Sequence, residues 1–257
     1  YFVCKNLFTK KEIKNIIKWT NEVEDFKEEK GKWMKYYDRS LTNSSKYILT
    51  RIENFYDYHK NLKKTLSQKK IINLIETLFQ SKVYLFKDKI NFKYPGAKGF
   101  KAHQDATIWK DMYGIKEYIT LLISIDNSNL KNGCLEVAKK SHKNGLLGKS
   151  WKEMSKSAEK KLKWEPIQSS PGDIMIFNDY TPHRSANNYS KNKRRIIFLT
   201  YNKKSEGNHR KKHFKDKRAN FPPNIERVNG KKYVFHIYPL DDNHAFHEFL
   251  KSLCYSR

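Results

Sequence analysis

Short runs of β-branched and aromatic residues dominate the chain after Ser81, and stretches rich in Gly, Pro, Asn and Ser separate them. Six of these runs are predicted strands, at residues 83–86, 90–92, 118–125, 133–137, 173–177 and 196–201. Many short strands without long helices between them favour a β-sandwich or a barrel. We therefore predict a mostly β fold with flanking helices, whose core is a double-stranded β-helix of the jelly-roll and cupin type.

The domain organisation follows from length and composition. A chain of 257 residues is long enough for one large domain with a well-buried core. We find no internal repeat and no domain linker, so we predict a single domain in three parts. These parts are a helical flank at 1–80, the jelly-roll core at 81–205 and a basic C-terminal extension at 206–257.

Helical periodicity is concentrated in the flank. Thr9 and Glu12 make a capping-box signature ahead of an apolar stripe, and a second stripe runs over residues 58–80. Both stripes indicate helices that pack on a sheet. The polar, Lys-rich stretch at 28–46 is predicted as a loop or lid, and the insertion at 142–164 as helical.

Cysteine usage and hydropathy indicate the cellular compartment in which the protein works. The three cysteines, Cys4, Cys134 and Cys254, are widely separated and odd in number, so their spacing indicates neither a disulfide framework nor a metal cluster. The chain has no uninterrupted apolar stretch of roughly 18 residues and no signal-peptide layout at its start. We expect a cytoplasmic protein with no membrane partner.

The charge of the chain is extreme, at +26, and such a field attracts polyanions. Nucleic acid is therefore one candidate partner. The lysines are spread along the whole chain, however, and accompany many Asn, Ile, Tyr and Phe residues, which also have AT-rich codons. Genome composition is thus a second explanation of the excess. In either case the field favours a small anionic substrate.

Two histidines and one aspartate form the most specific pattern in the sequence. His103 and Asp105 are two positions apart, so on an extended strand they share one face. His183 follows a predicted strand far downstream, where a jelly roll can return it to the first pair. Two imidazoles and a carboxylate on one face of Fe(II) leave the other face open for substrate and oxygen. A lone histidine is more often an ordinary polar group, but the combined pattern favours metal ligands.

Arg194 extends this pattern to a co-substrate. Such an iron site activates O2 when a reductant is bound, and 2-oxoglutarate fills that role by chelating the metal through its keto and C1 carboxylate oxygens. The C5 carboxylate then needs a bidentate cation, which arginine provides. Arg194 begins an apolar strand, whereas its neighbour Arg195 is predicted to face the other way as surface charge. The opposite register would exchange the two arginines.

The sequence resembles the phytanoyl-CoA dioxygenase family of iron- and 2-oxoglutarate-dependent oxygenases over most of its length from residue 51. The resemblance lies in the segments RIENF (51–55), PGAKGFKAHQD (95–105), NGCLEV (132–137), SHK (141–143), PGD (171–173) and PHRSAN (182–187). It implies His103, Asp105 and His183 as catalytic metal ligands, with Arg194 and Ser185 on the C5 carboxylate. Asn91 is implied as a further 2-oxoglutarate contact. The implied cofactors are Fe(II), 2-oxoglutarate and O2, with stimulation by ascorbate in vitro.

Within that family, three segments are similar to the branch that contains aminoalkylphosphonate hydroxylases. They are GFKAHQD (99–105), TYNKKSEGNHR (200–210) and DKRANFPP (216–223). The resemblance implies hydroxylation of the carbon next to phosphorus, with succinate and CO2 as co-products. A phosphonate needs several cationic or amide donors, and an ammonium group can lie over an aromatic ring. The candidate substrate-binding residues are Arg51, Trp109, Arg184, Asn202, His209 and Arg210.

Each of these substrate candidates also has an ordinary interpretation as surface charge or barrel packing. The intact Asp105 favours hydroxylation over halogenation, because related halogenases replace this carboxylate with a small residue. Two alternatives remain open from the sequence. One is a hydroxylase of an acyl-CoA or a secondary metabolite. The other is a basic nucleic-acid-binding protein on an inactive oxygenase barrel, which the complete set of ligand positions disfavours.

Overall fold

The computed structural model describes residues 1–106, 112–148, 153–231 and 233. Its strands are β1 (Phe2–Cys4), β2 (Met34–Arg39), β3 (Tyr47–Glu53), β4 (Val83–Lys93), β5 (Phe100–His103), β6 (Ile119–Ser124), β7 (Leu135–Ala138), β8 (Trp164–Ile167), β9 (Ile174–Asn178), β10 (His183–Ser185) and β11 (Arg194–Lys203). Its α-helices are α1 (Lys10–Glu24), α2 (Lys60–Leu66), α3 (Lys69–Phe79), α4 (Lys156–Lys160) and α5 (Arg210–Asn220). Single 3-10 turns lie at Tyr56–Tyr58, Leu130–Asn132, Ser141–Asn144, Lys204–Glu206 and Asn224–Glu226.

The strands form two antiparallel sheets. The large sheet has seven strands in the order β1-β9-β6-β11-β4-β3-β2, and the small sheet has four in the order β5-β10-β7-β8. Apolar side chains from both sheets meet between them, namely Leu122, Leu135, Val137, Met175, Phe177, Ile196 and Phe198. The predicted jelly-roll core with flanking helices is therefore confirmed.

The helices α1, α2 and α3 cover the opposite face of the large sheet. Their apolar stripes pack against outward-facing strand residues such as Ile90, Ile197 and Leu199. The predicted capping box at the start of α1 is present, since Glu12 N donates to Thr9 Oγ1 at 3.2 Å and Thr9 N to Glu12 Oε2 at 2.8 Å. Within the ranges given above, no helix has the length and apolarity needed to cross a membrane.

Several boundaries differ from the sequence prediction. Strands β1, β2 and β3 lie within 1–80 and join the large sheet, so that region is mixed rather than helical. The predicted loop at 28–46 contains β2, whose Met34 and Tyr36 are buried against Phe214 of α5. The sequence analysis missed this strand because the many lysines in the stretch masked the alternation of apolar and polar residues that is typical of a strand. The second stripe divides into α2 and α3, and the only α-helix in the described part of the 142–164 insertion is the five-residue α4.

Strands β4 and β11 run side by side through the centre of the large sheet. They pair from Lys93 with Arg194 to Val83 with Lys203, with one irregularity at Thr200 and Tyr201. The sequence predicted two short runs where β4 is one long strand, because the charged residues at 87–89 interrupt the apolar pattern. These charged residues therefore lie inside the sheet.

Candidate active site

Strand pairing brings the two predicted ligand histidines together. In the small sheet β5 pairs with β10, and His103 is the register partner of His183. Their ring centroids are 4.2 Å apart, and His103 Nε2 lies 3.9 Å from Oδ1 of Asp105. One possible ligand atom from each of the three residues lies within 4.8 Å of the other two. The three side chains can therefore share one metal ion.

The hydrogen bonds of both imidazoles orient them for metal binding. Nδ1 of His103 lies 2.7 Å from the carbonyl oxygen of Lys101, and Nδ1 of His183 lies 3.0 Å from that of Thr181. A carbonyl oxygen only accepts, so each Nδ1 carries the proton and each Nε2 presents its lone pair. Metal-bound histidines are commonly held in this way. The donor set of two nitrogens and one carboxylate fits Fe(II).

The protonation states also suit a metal site. Burial and the neighbouring His183 lower the pKa of His103 to about 3, so that ring is neutral at physiological pH. Burial alone would raise the pKa of Asp105, but His183, Lys87 and His103 outweigh it and lower that pKa to about 2. Metal ligation requires a neutral imidazole and an ionised carboxylate, and both are present without any ion.

Arg194 and Arg195 occupy opposite faces of β11. Arg194 points between the sheets and is 3% exposed, and its Nε has no hydrogen-bond partner among the described residues. Burial lowers its pKa to about 10, so it remains charged at neutral pH. Arg195 points toward α1 and forms ion pairs with Asp126 and Glu24, both at 2.9 Å. The prediction that Arg195 is surface charge is therefore wrong, since it is 3% exposed in a buried network.

A pocket beside Arg194 contains the predicted co-substrate residues. Arg194 and Asn91 both line this pocket, together with Lys93 and Phe100. Asn91 pairs with Ile196 of β11, and its buried Oδ1 accepts no hydrogen bond from the part of the chain that the structure describes. A carboxylate here would accept from the Arg194 guanidinium on one side and from the Nδ2 group of the Asn91 amide on the other. The arrangement suits one end of a dicarboxylic acid.

Lys93 adds a cation to this pocket that the sequence analysis did not identify. Its Nζ donates to Ser185 Oγ at 2.7 Å, to the Gly133 carbonyl at 3.2 Å and to the Ala186 carbonyl. Ser185 is thus held by Lys93. Burial and the nearby Arg194 guanidinium lower the pKa of Lys93 to about 6. A bound carboxylate would favour its charged form.

Arg51 also lines this pocket, on β3 beside Asn91. Its Nε is 2.6 Å from Glu53 Oε1, and Glu53 also pairs with Lys217 of α5 at 2.5 Å. The guanidinium stacks 4.2 Å from the centroid of the Tyr36 ring. Arg51 is therefore near the site but partly neutralised by a buried carboxylate.

The structure does not bring Arg184 to the metal ligands. Along β10 it points away from His183 and Ser185, as alternation requires. Its Nε pairs with Glu136 at 2.9 Å and its Nη1 with Glu159 at 2.6 Å. Arg184 therefore joins strands at the outer surface of the small sheet, and its placement gives no support to a substrate contact.

Three further candidates lie at the junction of β11 and α5. Arg210 pairs with Asp57 at 3.1 Å and with Asp88 at 2.6 Å, on the helix-covered face of β4. Asn202 donates to the carbonyls of Lys203 and Gly207, and His209 Nε2 is 2.6 Å from the Glu206 carbonyl. These contacts brace the turn into α5. The remaining candidate, Trp109, lies outside the described residues.

Sequence reasoning also missed two lysines on the inner face of β4. Lys87 and Lys89 pair with Thr200 and Phe198 of β11 and therefore point the same way as Arg194. The signal was the alternation of Lys87, Lys89, Asn91 and Lys93, one residue in two. In a strand that is covered on both sides, polar residues on every second position indicate that one face lines a site, while the apolar face packs against the core.

Backbone packing around Gln104 and Gly99 holds the ligand strands in place. Gln104 Nε2 donates to the carbonyls of Gly145 and Tyr180, and its Oε1 accepts from Leu147 N at 2.7 Å. A Cβ on Gly99 would lie 2.1 Å from the Ser185 carbonyl oxygen. Only glycine allows β5 and β10 this close an approach at that point.

The fold and the site together define a class. A jelly roll that presents two histidines and a carboxylate beside a buried arginine is the scaffold of mononuclear iron oxygenases, and the chain is an iron- and 2-oxoglutarate-dependent dioxygenase. The model of the family described as Phytanoyl-CoA dioxygenase (PhyH) matches residues 1–196, and the chain belongs to that family.

Two relatives and one solved structure refine this comparison. The chain is 44% identical over 216 residues to "2-aminoethylphosphonate dioxygenase" from an uncultured bacterium, HF130_AEPn_1, covering 84% of this chain and 82% of that protein. It is 31% identical over 233 residues to "Methylphosphonate hydroxylase" from Gimesia maris, covering 90% and 87%. The structure of EctD from S. alaskensis with 2-oxoglutarate and 5-hydroxyectoine has a TM-score of 0.69 at 17% identity, over 80% of this chain and 72% of that one.

Proposed function

We propose that the protein hydroxylates a small phosphonate at the carbon bonded to phosphorus, with an aminoalkylphosphonate as the first candidate. The observation that carries this proposal is the 44% identity, over 84% of the chain, to a relative named for 2-aminoethylphosphonate. A second relative is named for methylphosphonate. The two names share the phosphonate group and differ in the rest of the substrate.

One oxygen atom of O2 enters the C–H bond next to phosphorus, and the other enters 2-oxoglutarate, which loses CO2 and becomes succinate. Bound iron and 2-oxoglutarate together supply the oxidising chemistry, and the protein contributes placement and exclusion of water. His103, Asp105 and His183 would hold the metal, while Arg194, Asn91 and Lys93 would hold the far carboxylate of 2-oxoglutarate.

The surroundings of the three ligands support an anionic substrate of small size. Phe177 packs against the His183 ring at 4.8 Å between centroids, and Phe198 lies on the inner face of β11. Both rings are buried and keep water from this part of the site. Lys87 and Lys89 lie on the inner face of β4, where Lys89 Nζ is 4.6 Å from the centroid of the Phe198 ring. The two described cysteines, Cys4 and Cys134, are free thiols, which supports a reducing, cytoplasmic compartment.

The test is a substrate-screened succinate assay. Purified protein with Fe(II), ascorbate and labelled 2-oxoglutarate is incubated with 2-aminoethylphosphonate, its N-methylated relatives and methylphosphonate, and succinate is measured with and without each compound. We expect phosphonate-dependent succinate together with a hydroxylated phosphonate detectable by phosphorus NMR. Turnover with an acyl-CoA or a carboxylate metabolite, and with no phosphonate, would remove the substrate proposal and retain the class.

A further inference from the structure

Lys93 and Arg194 are two buried cations that lie next to each other on the inner face of the large sheet. They are register partners on β4 and β11, and both line the pocket that also contains Asn91. Lys93 is 2% exposed and Arg194 is 3% exposed. Like charges directly opposite each other on neighbouring strands are destabilising. Within the described ranges neither cation forms an ion pair with a carboxylate, so an anion in the pocket would relieve their repulsion.

The donors of the Lys93 ammonium group are all directed at protein acceptors. An ammonium group has three N–H donors. Lys93 Nζ lies 2.7 Å from Ser185 Oγ and 3.2 Å from the Gly133 carbonyl oxygen. The Ala186 carbonyl oxygen is the third acceptor. No donor is left for a ligand, so Lys93 acts on a bound carboxylate through its charge and through Ser185.

Ser185 is the group through which Lys93 reaches a ligand. It lies on the same face of β10 as His183 and is 6% exposed. Its Oγ accepts from Lys93 and, at 3.3 Å, from the backbone amide of Phe100, which also lines the pocket. A hydroxyl oxygen accepts two hydrogen bonds and donates one. With both acceptor positions occupied, the hydroxyl hydrogen of Ser185 is available to an anion, and no other described residue accepts it.

The charge of Lys93 decides where this hydrogen points. A neutral amine has two hydrogens and one lone pair. The carbonyls of Gly133 and Ala186 can only accept, so they take both hydrogens, and the lone pair of Nζ then accepts the hydroxyl hydrogen of Ser185. Burial and the adjacent Arg194 lower the pKa of Lys93 to about 6, so the neutral arrangement prevails in the free protein above that pH. A carboxylate bound beside Arg194 favours the ammonium form.

We propose that Lys93 is a positioning residue for the co-substrate: in its ammonium form it donates to Ser185 and so directs the Ser185 hydroxyl to the far carboxylate of 2-oxoglutarate. Arg194 binds the same carboxylate directly. Lys93 accepts a proton from solvent when 2-oxoglutarate binds, and releases it when the pocket empties. This inference rests on the co-substrate placement within the function proposed above and is independent of the phosphonate.

The experiment is a double-mutant cycle on 2-oxoglutarate binding. Calorimetric titrations at pH 7 use Fe(II)-loaded protein without O2 and without phosphonate, and compare the wild type with Lys93→Met, Ser185→Ala and the double variant. Each single change should weaken binding about tenfold to hundredfold, as loss of a hydrogen bond that involves a charged group does. Ser185→Ala should have little further effect once Lys93 is replaced, because the hydroxyl is then no longer directed at the ligand.

Proton uptake is a second readout, which a merely structural role would not change. Titrations in buffers of different ionisation enthalpy give the number of protons bound with each 2-oxoglutarate. Affinity should be highest below the free-protein pKa of about 6 and fall as the pH rises above it, with uptake of about one proton. Lys93→Met should abolish both effects. The other ionisable groups that adjoin Lys93 or line its pocket are unchanged in this variant, namely Asp38, Arg51, Lys98, Cys134 and Arg194.

The matched control is Lys35→Met. Lys35 is also a buried lysine, at 8% exposed, and its Nζ donates to the backbone carbonyls of Glu24 and Phe26. We expect this variant to keep the 2-oxoglutarate affinity and the proton uptake of the wild type. Thermal unfolding of every variant checks the fold. Lys93→Gln, which keeps a donor but cannot take up a proton, replaces Lys93→Met if the latter does not fold.

The outcomes separate this inference from the proposed function. Unchanged 2-oxoglutarate affinity in Lys93→Met overturns the inference. So do losses that add in the double variant, because Lys93 and Ser185 then act independently, and so does proton uptake that persists without Lys93. Arg194→Met, titrated in parallel, tests the placement itself. If it binds 2-oxoglutarate normally, the co-substrate placement and the inference fail together, whereas a loss confined to Arg194→Met overturns the inference alone.

Discussion

The two faces of the central strands β4 and β11 differ in whether their buried charged residues form ion pairs. On the inner face, Lys89, Lys93 and Arg194 point between the sheets. For these three cations, the described residues provide no carboxylate partner in an ion pair. Lys93 instead donates to a hydroxyl and to carbonyls, and the Nε of Arg194 has no hydrogen-bond partner within the described ranges.

On the outer face the charges are matched. Arg195 is held by Asp126 and Glu24, and also donates to Asn21 Oδ1 at 2.6 Å. Asp88 is fully buried, yet it accepts from two backbone amides and pairs with Arg210 at 2.6 Å. Buried charges that are fully paired and hydrogen-bonded are tolerated in a protein interior.

The difference identifies which charges hold the fold and which are kept for ligands. A cation matched by protein carboxylates has its electrostatic needs met in the free protein. One that is buried without such a match gains its partner only when an anion binds. The inner-face cations should therefore control ligand affinity, and the outer-face charges should control stability.

The largest effect is expected for Asp105→Ala. Removing partners that merely orient metal ligands already reduces metal affinity or activity by about 10- to 100-fold, so loss of a ligand should reduce turnover by more than about 100-fold. Iron content per chain and succinate formation measure this. Retained iron and turnover in this variant would contradict the assignment of Asp105 as a metal ligand.

Arg194→Met should come next in size. It removes a charged, bidentate contact to 2-oxoglutarate, so we expect about a hundredfold increase in the KM for 2-oxoglutarate. The melting temperature should not fall, because no protein carboxylate loses its partner in the described structure. Steady-state kinetics with varied 2-oxoglutarate, together with thermal unfolding, tests both expectations.

Arg195→Met makes the same substitution at the neighbouring position of β11, whose side chain points to the outer face. Asp126 and Glu24 would lose their buried partner but remain partly solvated, so we expect a loss of about 2 kcal/mol in the free energy of unfolding, less than for a fully buried pair. The KM for 2-oxoglutarate should stay unchanged. Urea unfolding measures the loss. If the KM for 2-oxoglutarate rose in this variant and stayed normal in Arg194→Met, then Arg195 rather than Arg194 would bind the co-substrate.

The parts of the site that the sequence predicted are those defined by short spacing within one strand. His103 and Asp105 need only two positions, and the alternation of a strand separates Arg194 from Arg195 whatever the rest of the fold. The distal His183 required the jelly-roll topology, which the strand pattern also indicated. These features depend on local backbone geometry, and the structure brings them together accordingly.

The substrate residues were harder to predict because ion pairing is decided by distant segments. Arg184 meets Glu136, 48 positions away, and Arg210 meets Asp57, 153 positions away. Nothing near these arginines in the sequence indicates that they are already neutralised. Conversely, Lys87 and Lys89 resemble solvated charge in a chain with so many lysines. Only the pairing of β4 with β11 shows that they face inward.

The pH dependence of stability tests the role of Glu12, which lies in helix α1 on the outer side of the large sheet. Burial alone would raise its pKa, but Lys70, at 2.8 Å, and the Thr9 backbone amide lower it from 4.5 to about 2. Because the folded-state pKa lies below the ordinary value, the carboxylate stabilises the fold above pH 4.5, and this contribution is lost as the pH falls toward 2. Glu12→Gln should therefore lower the free energy of unfolding by about 1 kcal/mol at pH 7, through the helix cap and the ion pair.

In urea unfolding, the difference in the free energy of unfolding between this variant and the wild type should narrow steadily below pH 4.5. The exposed pair of Glu29 with Lys32 supplies the control, since Glu29→Gln should change stability little at any pH. A gap that stays constant from neutral to acid pH would show that Glu12 acts through packing rather than charge.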